Sequence, residues 1–170
     1  MLLVIVLLIL AYARNTLWRD GTSIWEDALR QSPLKDRVHG NLGKAYQNSG
    51  RLDRALVEYQ TIITRNPMDA VAHNNLGLLY EVQGRFDEAL QEYLAALELK
   101  PGLAATYNNL GNLYNKRGFV NEAVLAYQTA ALLNPRSADI HYNLGMVYTM
   151  QGRTQDAARE FAMSRMLSPP

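Results

Sequence analysis

Apolar and polar positions along this chain follow two superposed periods. Over residues 36–48 the apolar or small side chains fall at Val38, Leu42, Ala45 and Tyr46, spaced as on one face of a helix. That run breaks at Asn48-Ser49-Gly50, with glycine where a helix terminus often needs a left-handed residue. A second run follows at Leu52, Ala55, Leu56, Tyr59, Ile62 and Ile63 and stops at Asn66-Pro67. Proline has no N–H to extend a helix and restricts the residue before it. The short period therefore predicts a helix, a tight turn and an antiparallel helix.

The long period is 34 residues. Proline recurs at 33, 67, 101, 135 and 169. In step with it are Leu42, Leu76, Leu110 and Leu144; Gly43, Gly77, Gly111 and Gly145; Tyr46, Tyr80, Tyr114 and Tyr148; Gly50, Gly84, Gly118 and Gly152; and Ala55, Ala89, Ala123 and Ala157. One supersecondary unit copied in tandem, each copy burying its apolar face on the next, explains such a register. The expected fold is an all-α, right-handed α-α superhelix, with repeats at 36–69, 70–103, 104–137 and 138–170. The glycine and alanine phases leave room for close packing, filled by the larger Leu42, Tyr46 and Tyr59. Residues 21–35 read as a degenerate half-repeat cap, because Trp25 precedes Pro33 by the same interval as Tyr59 precedes Pro67. Ser23 with Glu26 is the expected capping box of its helix.

One copy reads Leu76-Gly77, Tyr80, Gly84, Ala89, Tyr93 and Pro101. This resembles the tetratricopeptide repeat, and four copies match. The family's tryptophan near the start of the first helix is here His39, His73, Tyr107 and His141. Its small residue late in the second helix is Ile62 in the first copy and Ser164 in the last. The resemblance implies a non-catalytic interaction surface.

Composition narrows the partners. A formal charge of +1 argues against nucleic acid or a strongly charged surface. The acidic group Glu81, Asp87, Glu88, Glu92 and Glu98 reads mainly as a solvated face. Without cysteine there is no disulfide or thiol chemistry, which selects neither side of a membrane.

Residues Met1 to Ala13 carry no charge and are almost wholly aliphatic, followed by Arg14, Trp18 and Arg19. Thirteen helical residues span about 20 Å against a hydrocarbon core of roughly 30 Å. The segment 1–20 is expected to be an apolar helix, with residues 1–18 either anchoring in a membrane, alone or as the end of a longer span, or packing in the core of an oligomer or fibre. A secretory signal would lack its basic first region and a clear cleavage site. Ala13-Arg14-Asn15, Trp18-Arg19-Asp20, Trp25, Pro33 and Asn41-Leu42-Gly43 resemble the last membrane helix and first repeats of multipass tetratricopeptide proteins, including the transmembrane O-mannosyltransferase family and bacterial relatives. That resemblance implies repeats on the extracytoplasmic side and chemistry in a membrane domain that these residues do not contain. The Arg14 and Arg19 flank points the other way, to a cytoplasmic array.

His39, His73 and His141 share one repeat position with Tyr107, which reads as packing; ligands one repeat apart cannot share a metal ion. No catalytic group, metal site or cofactor is expected. Gly40-Asn41-Leu42-Gly43-Lys44 lacks the spacing of a phosphate loop and lies within a helix. Asn41, Asn75, Asn109 and Asn143 are different, since asparagine is a mediocre helix former yet recurs in mid-helix. Two readings stay open: a structural side chain, or a ladder whose amides pair with a peptide backbone. The Asn-Leu-Gly phase is similar to the repeats of O-GlcNAc transferase, which implies a groove holding extended polypeptide. By phase that groove includes Lys44, Leu78, Asn112 and Met146, then Gln47, Glu81, Asn115 and Thr149. It lacks the basic set that clamps a terminal carboxylate, so an internal segment is expected. The expected function is a membrane-tethered scaffold for protein or peptide. The alternatives are a subunit that stacks head to tail through unpaired ends, and the accessory region of a membrane glycosyltransferase.

Overall fold

The computed structural model describes residues 21–168. Among these described residues the regular elements are nine helices: α1 (Gly21–Gln31), α2 (Asp36–Asn48), α3 (Leu52–Arg65), α4 (Ala70–Val82), α5 (Phe86–Leu99), α6 (Ala104–Lys116), α7 (Val120–Leu133), α8 (Ala138–Met150) and α9 (Thr154–Leu167). Two compact units divide at Pro67 and Met68. In the first, α1 packs on α2 and α2 on α3. In the second, the hairpins α4–α5, α6–α7 and α8–α9 follow one another; α5 meets α6, α7 meets α8, and the first helices touch along α4, α6 and α8.

The turns between paired helices share one backbone solution. Gly50, Gly84, Gly118 and Gly152 have φ of 74°, 75°, 78° and 72°, where a side chain is strained. Around the first, the Gly50 N–H donates to the Gln47 carbonyl at 3.1 Å and the Arg51 N–H to the Tyr46 carbonyl at 2.8 Å. These paired bonds close the helix end and reverse the chain at once. At the start of α4, Asp69 accepts from the backbone N–H groups of Val71 and Ala72, both at 3.0 Å.

Inside each hairpin an aromatic ring lies on a glycine. A methyl group at Gly43, Gly77, Gly111 or Gly145 would come within 2.7, 2.7, 2.6 or 2.7 Å of the rings of Tyr59, Tyr93, Tyr127 or Phe161. The glycine phase is thus set by a ring from the opposing helix, and at Gly77 also by the Ala89 carbonyl at 3.2 Å. Ala55, Ala89, Ala123 and Ala157 are buried beside these contacts. Ile62 and Ser164, the two departures in the small-residue phase, are buried as well.

The Ser23 capping box does not form. Gly21 and Thr22 are already helical, which puts Ser23 inside α1. Thr22 is buried and accepts from the Arg51 guanidinium at 2.6 Å. The expected apolar helix of residues 1–20 lies outside the described residues. Among the described residues no helix is long and apolar enough to cross a membrane.

Candidate functional site

In the first unit, the spacing of α2 puts Asn41, Lys44 and Asn48 on neighbouring turns. With Gly21, Thr22, Trp25, Ala45 and Ser49 they line a cavity of about 440 Å³. Two of the expected peptide-binding residues, Asn41 and Lys44, are therefore neighbours beside an indole. Arg51 fixes one rim by donating to Ser49 Oγ at 3.0 Å as well as to Thr22. Tyr46 donates to Glu26 at 2.8 Å, tying α2 to α1. Burial first, and then the Glu26 contact, raise the Tyr46 hydroxyl above its ordinary range.

In the second unit the asparagines form two clusters, each crossing one junction between hairpins. Asn74 Oδ1 accepts from Thr106 at 2.9 Å and from the Asn109 amide at 3.1 Å, and the Asn74 amide donates to Asn75 at 3.4 Å. At the next junction the Asn143 amide donates to Asn108 at 3.0 Å and to Asn112 at 3.4 Å, while Tyr127 donates to Asn112 at 2.7 Å. The six asparagines are half-buried, and Thr106 and Tyr127 are buried. Asn109, Asn112 and Asn143 thus join repeats to one another, whereas Asn75 bonds to Asn74 on its own helix. An asparagine offers two donors and two acceptor sites, so these bonds leave hydrogen-bonding capacity. Leu78 is half-buried, and Met146 is exposed at the outer side of α8.

Charge enters the same junction through Glu81. Rather than forming part of a solvated face, its side chain is buried, accepting from Lys116 at 2.6 Å and from Tyr93 at 2.8 Å. Glu92 is also engaged, with His73 at 2.6 Å. Asp87 and Glu88 do face solvent and pair with Arg117 and Arg85. A buried carboxylate needs such partners, because an unpaired one is expensive. Burial first, and then the charge of Glu81, hold the Tyr93 and Tyr127 hydroxyls far above the ordinary range. Burial alone pushes Tyr59 up to about 12.

The histidine phase turns out to be a polar pair. His39, His73 and His141 place Nδ1 at 2.6 Å from Glu58, Glu92 and Glu160. Nε2 of His39 and of His141 lies 3.0 Å from the carbonyls of Pro33 and Pro135. The sequence held a signal for this: every histidine is followed at the same interval by glutamate, and Tyr107 by Ala126. The doublets Asn74-Asn75 and Asn108-Asn109 likewise marked the junction bonds. The Lys116–Glu81 pair had no periodic signal, since neither charge recurs at its phase. Among the described residues, no three acidic or histidine side chains are placed to hold a metal ion.

What these side chains can do is bind: they present amides, a lysine and an indole along helix faces. Solved structures share this architecture. A thermophilic TPR protein of Thermus thermophilus superposes with a TM-score of 0.80 at 20% identity, over 95% of this chain and 88% of that one. MamA of Desulfovibrio magneticus, from residue 41 to its end, gives 0.70 at 21% identity over 91% and 92%. PilF of Pseudomonas aeruginosa gives 0.77 at 19% identity over 94% and 72%. At these identities the likeness concerns the fold alone. No curated protein matches the sequence. A tetratricopeptide-repeat family model matches residues 41–104 and a second, described as TPR repeat, matches 111–152. With the glycine-on-ring hairpins and their 34-residue period, these matches place the chain among the tetratricopeptide-repeat proteins.

Proposed function

We propose that this chain is a non-catalytic scaffold that holds an extended polypeptide segment along the faces of its first helices. The observation that carries the reading is the recurrence of half-buried asparagine amides at Asn41, Asn75, Asn109 and Asn143. Bonds to neighbouring asparagines orient Asn75, Asn109 and Asn143, and their remaining donors and acceptors suit a peptide backbone irrespective of its side chains. In the first unit the cavity at Asn41 and Lys44, walled by Trp25, is the natural seat for a side chain of the bound segment. Membrane tethering through residues 1–18 and an extracytoplasmic position belong to the same proposal. They rest on the uncharged run Met1–Ala13, on its Trp18 and arginine flank, and on the resemblance of that junction to multipass tetratricopeptide proteins.

The test is selection of unstructured displayed peptides on the full chain, followed by Asn41→Ala and Asn75→Ala. Together they are expected to weaken binding by roughly 1–3 kcal/mol while the denaturation midpoint moves much less. Unchanged affinity with lost stability would make the asparagines purely structural and end this reading.

A further inference from the structure

Across the second unit one position of the first helices stays open in every repeat. Val82, Lys116 and Met150 end α4, α6 and α8 at the same phase, and they are 54%, 55% and 57% exposed, Lys116 by its side chain. Hairpins follow α4 and α6, so this openness belongs to the repeat and does not depend on an array end. Because the first helices touch along α4, α6 and α8, the three side chains form one row. The row reads apolar, cationic, apolar, and Leu78, one turn before Val82, widens the first apolar step.

The cation at the centre is held in place. Lys116 Nζ donates to Glu81 Oε1 at 2.6 Å, and the second oxygen of Glu81 accepts from Tyr93 at 2.8 Å. The Glu81 side chain is 3% exposed, so a molecule lying on the row meets the ammonium and not the carboxylate beneath it. An ammonium has three donors, and Glu81 takes one. The neighbouring guanidinium groups are committed, Arg117 to Asp87 at 2.9 Å and Arg85 to Glu88 at 3.0 Å. The carboxylate of α8, Asp139, opens that helix, eleven residues before Met150 and about 16 Å away along the axis. The open charge on the row is therefore positive.

We propose, building on the extended-segment scaffold above, that this row selects a segment with an acidic side chain, aspartate or glutamate, flanked three residues away on each side by an apolar one. The carboxylate seats on Lys116, and the apolar side chains seat on Val82 with Leu78 and on Met150. Spacing supports this occupant. Packed helices stand about 8–10 Å apart. A polyproline II turn is three residues rising about 3.1 Å each, so side chains i, i+3 and i+6 fall on one face at the pitch of α4, α6 and α8. Such a backbone has no internal hydrogen bonds, which suits the amides of Asn75, Asn109 and Asn112 one or two turns back on the same helices. A terminal carboxylate is a different ligand, because the row continues beyond Lys116 in both directions with an apolar step. Neither Glu81 nor Lys116 recurs at its phase in the other repeats, so the preference is particular to this unit.

Fluorescence anisotropy with the full 170-residue chain in a non-ionic detergent tests this. The probes are a labelled, capped peptide with leucine, glutamate and leucine at three-residue intervals in a proline and serine background, and its lysine-centred twin. Wild type is compared with Lys116→Gln, whose amide can still donate to Glu81, and with Lys100→Gln, an equal charge change at the exposed C-cap of α5. Thermal melts establish that each is folded; if Lys116→Gln is not, the double variant Glu81→Gln, Lys116→Gln removes both charges and takes its place. Wild type and Lys100→Gln are expected to bind the glutamate peptide at least about tenfold more tightly than its twin, an advantage lost in the Lys116→Gln proteins. Equal binding of the two peptides by wild type, or an advantage that survives in a folded Lys116→Gln protein, overturns the proposal; where that binding weakens with Asn75→Ala, the scaffold stands without the acidic preference. Failure of both peptides to bind at about 1 mM overturns the proposal too, and the scaffold falls with it only if the displayed-peptide selection also yields nothing.

Discussion

The hairpins α6–α7 and α8–α9 share a period and a backbone path, yet they distribute polarity in opposite ways. In α6–α7 the histidine and glutamate positions are Tyr107 and Ala126, and Asn108, Asn112 and Gln128 bond to the next hairpin. In α8–α9 the space between helices holds the His141–Glu160 pair, and the outward positions are Tyr142, Met146, Phe161 and Ala162. The first hairpin has no ionisable pair at this position and bonds to its neighbour through amides; the second has the pair and lacks those amides. A repeat position is therefore a volume together with a bonding requirement, and either a hydrogen-bonded pair or a large ring beside a methyl group can meet it. The turn shows the same exchange: Arg153 stacks over Tyr148 at 4.0 Å, whereas Phe119 meets Tyr114 edge-on at 6.4 Å.

The largest expected effect comes from the glycine beneath each ring. Gly111→Ala puts a methyl group 2.6 Å from the Tyr127 ring, which is buried and anchored by Asn112. A loss of about 1–3 kcal/mol in urea-denaturation stability is expected, as for other overpacked cores. Gly145→Ala makes a similar clash with Phe161, but that ring is half-buried and has no hydroxyl bond, so it can shift and the loss should be smaller. Equal losses at the two sites would show that the outer face of α8–α9 is as rigidly held as an internal junction.

Next comes the pair itself. Glu160→Ala should cost about 1–3 kcal/mol by leaving buried His141 without its carboxylate partner. Adding His141→Tyr reproduces the Tyr107–Ala126 solution and should restore part of the loss. A double-mutant cycle on denaturation midpoints measures that coupling; strict additivity would mean the two solutions are not interchangeable.

The smallest effect is alkaline. Tyrosine ionises near 10.0, and burial raises Tyr59 to about 12 and Tyr127 also upward. Above pH 10 the unfolded chain has released protons that the folded chain still holds. These groups therefore contribute stability fully below pH 10 and lose it as pH rises, for Tyr59 through about 12. Phe161 has no hydroxyl and contributes none. Tyr127→Phe, which makes the α6–α7 site resemble that of α8–α9, should flatten the fall of the urea midpoint above pH 10 without abolishing it. A steeper fall in the variant would reverse the assignment.

Much of this architecture could be read from the chain alone. Helices, turns and the tandem period depend on backbone conformation and nearest-neighbour burial. Those constraints repeat with the chain, so they appear as phased glycines, alanines, tyrosines and prolines. The Gly43-to-Gly145 phase implied close packing, although only the folded hairpin shows that its partner is a ring. The histidines read as space-filling because a pair spanning two helices is invisible to helical periodicity; the glutamates at a constant interval were the available clue. Ser23 with Glu26 matched a capping box because the motif is local, whereas where α1 runs is decided by its packing through Thr22 and Arg51.

The sequence by itself determined the repeat, its turns and the phases that must be small or apolar, because each is enforced within about one hairpin. It also marked Asn41, Asn75, Asn109 and Asn143 as unusual, without saying what they touch. Only tertiary structure decided that the asparagines of α4, α6 and α8 bond across junctions, that Glu81 is buried between Lys116 and Tyr93, and that Asn41 and Lys44 line one cavity beside Trp25. The physical reason is distance along the chain. Most of these partners come from different helices, about one repeat apart in the junction bonds, and whether a polar side chain meets solvent, a ring or another amide is settled only when those helices pack.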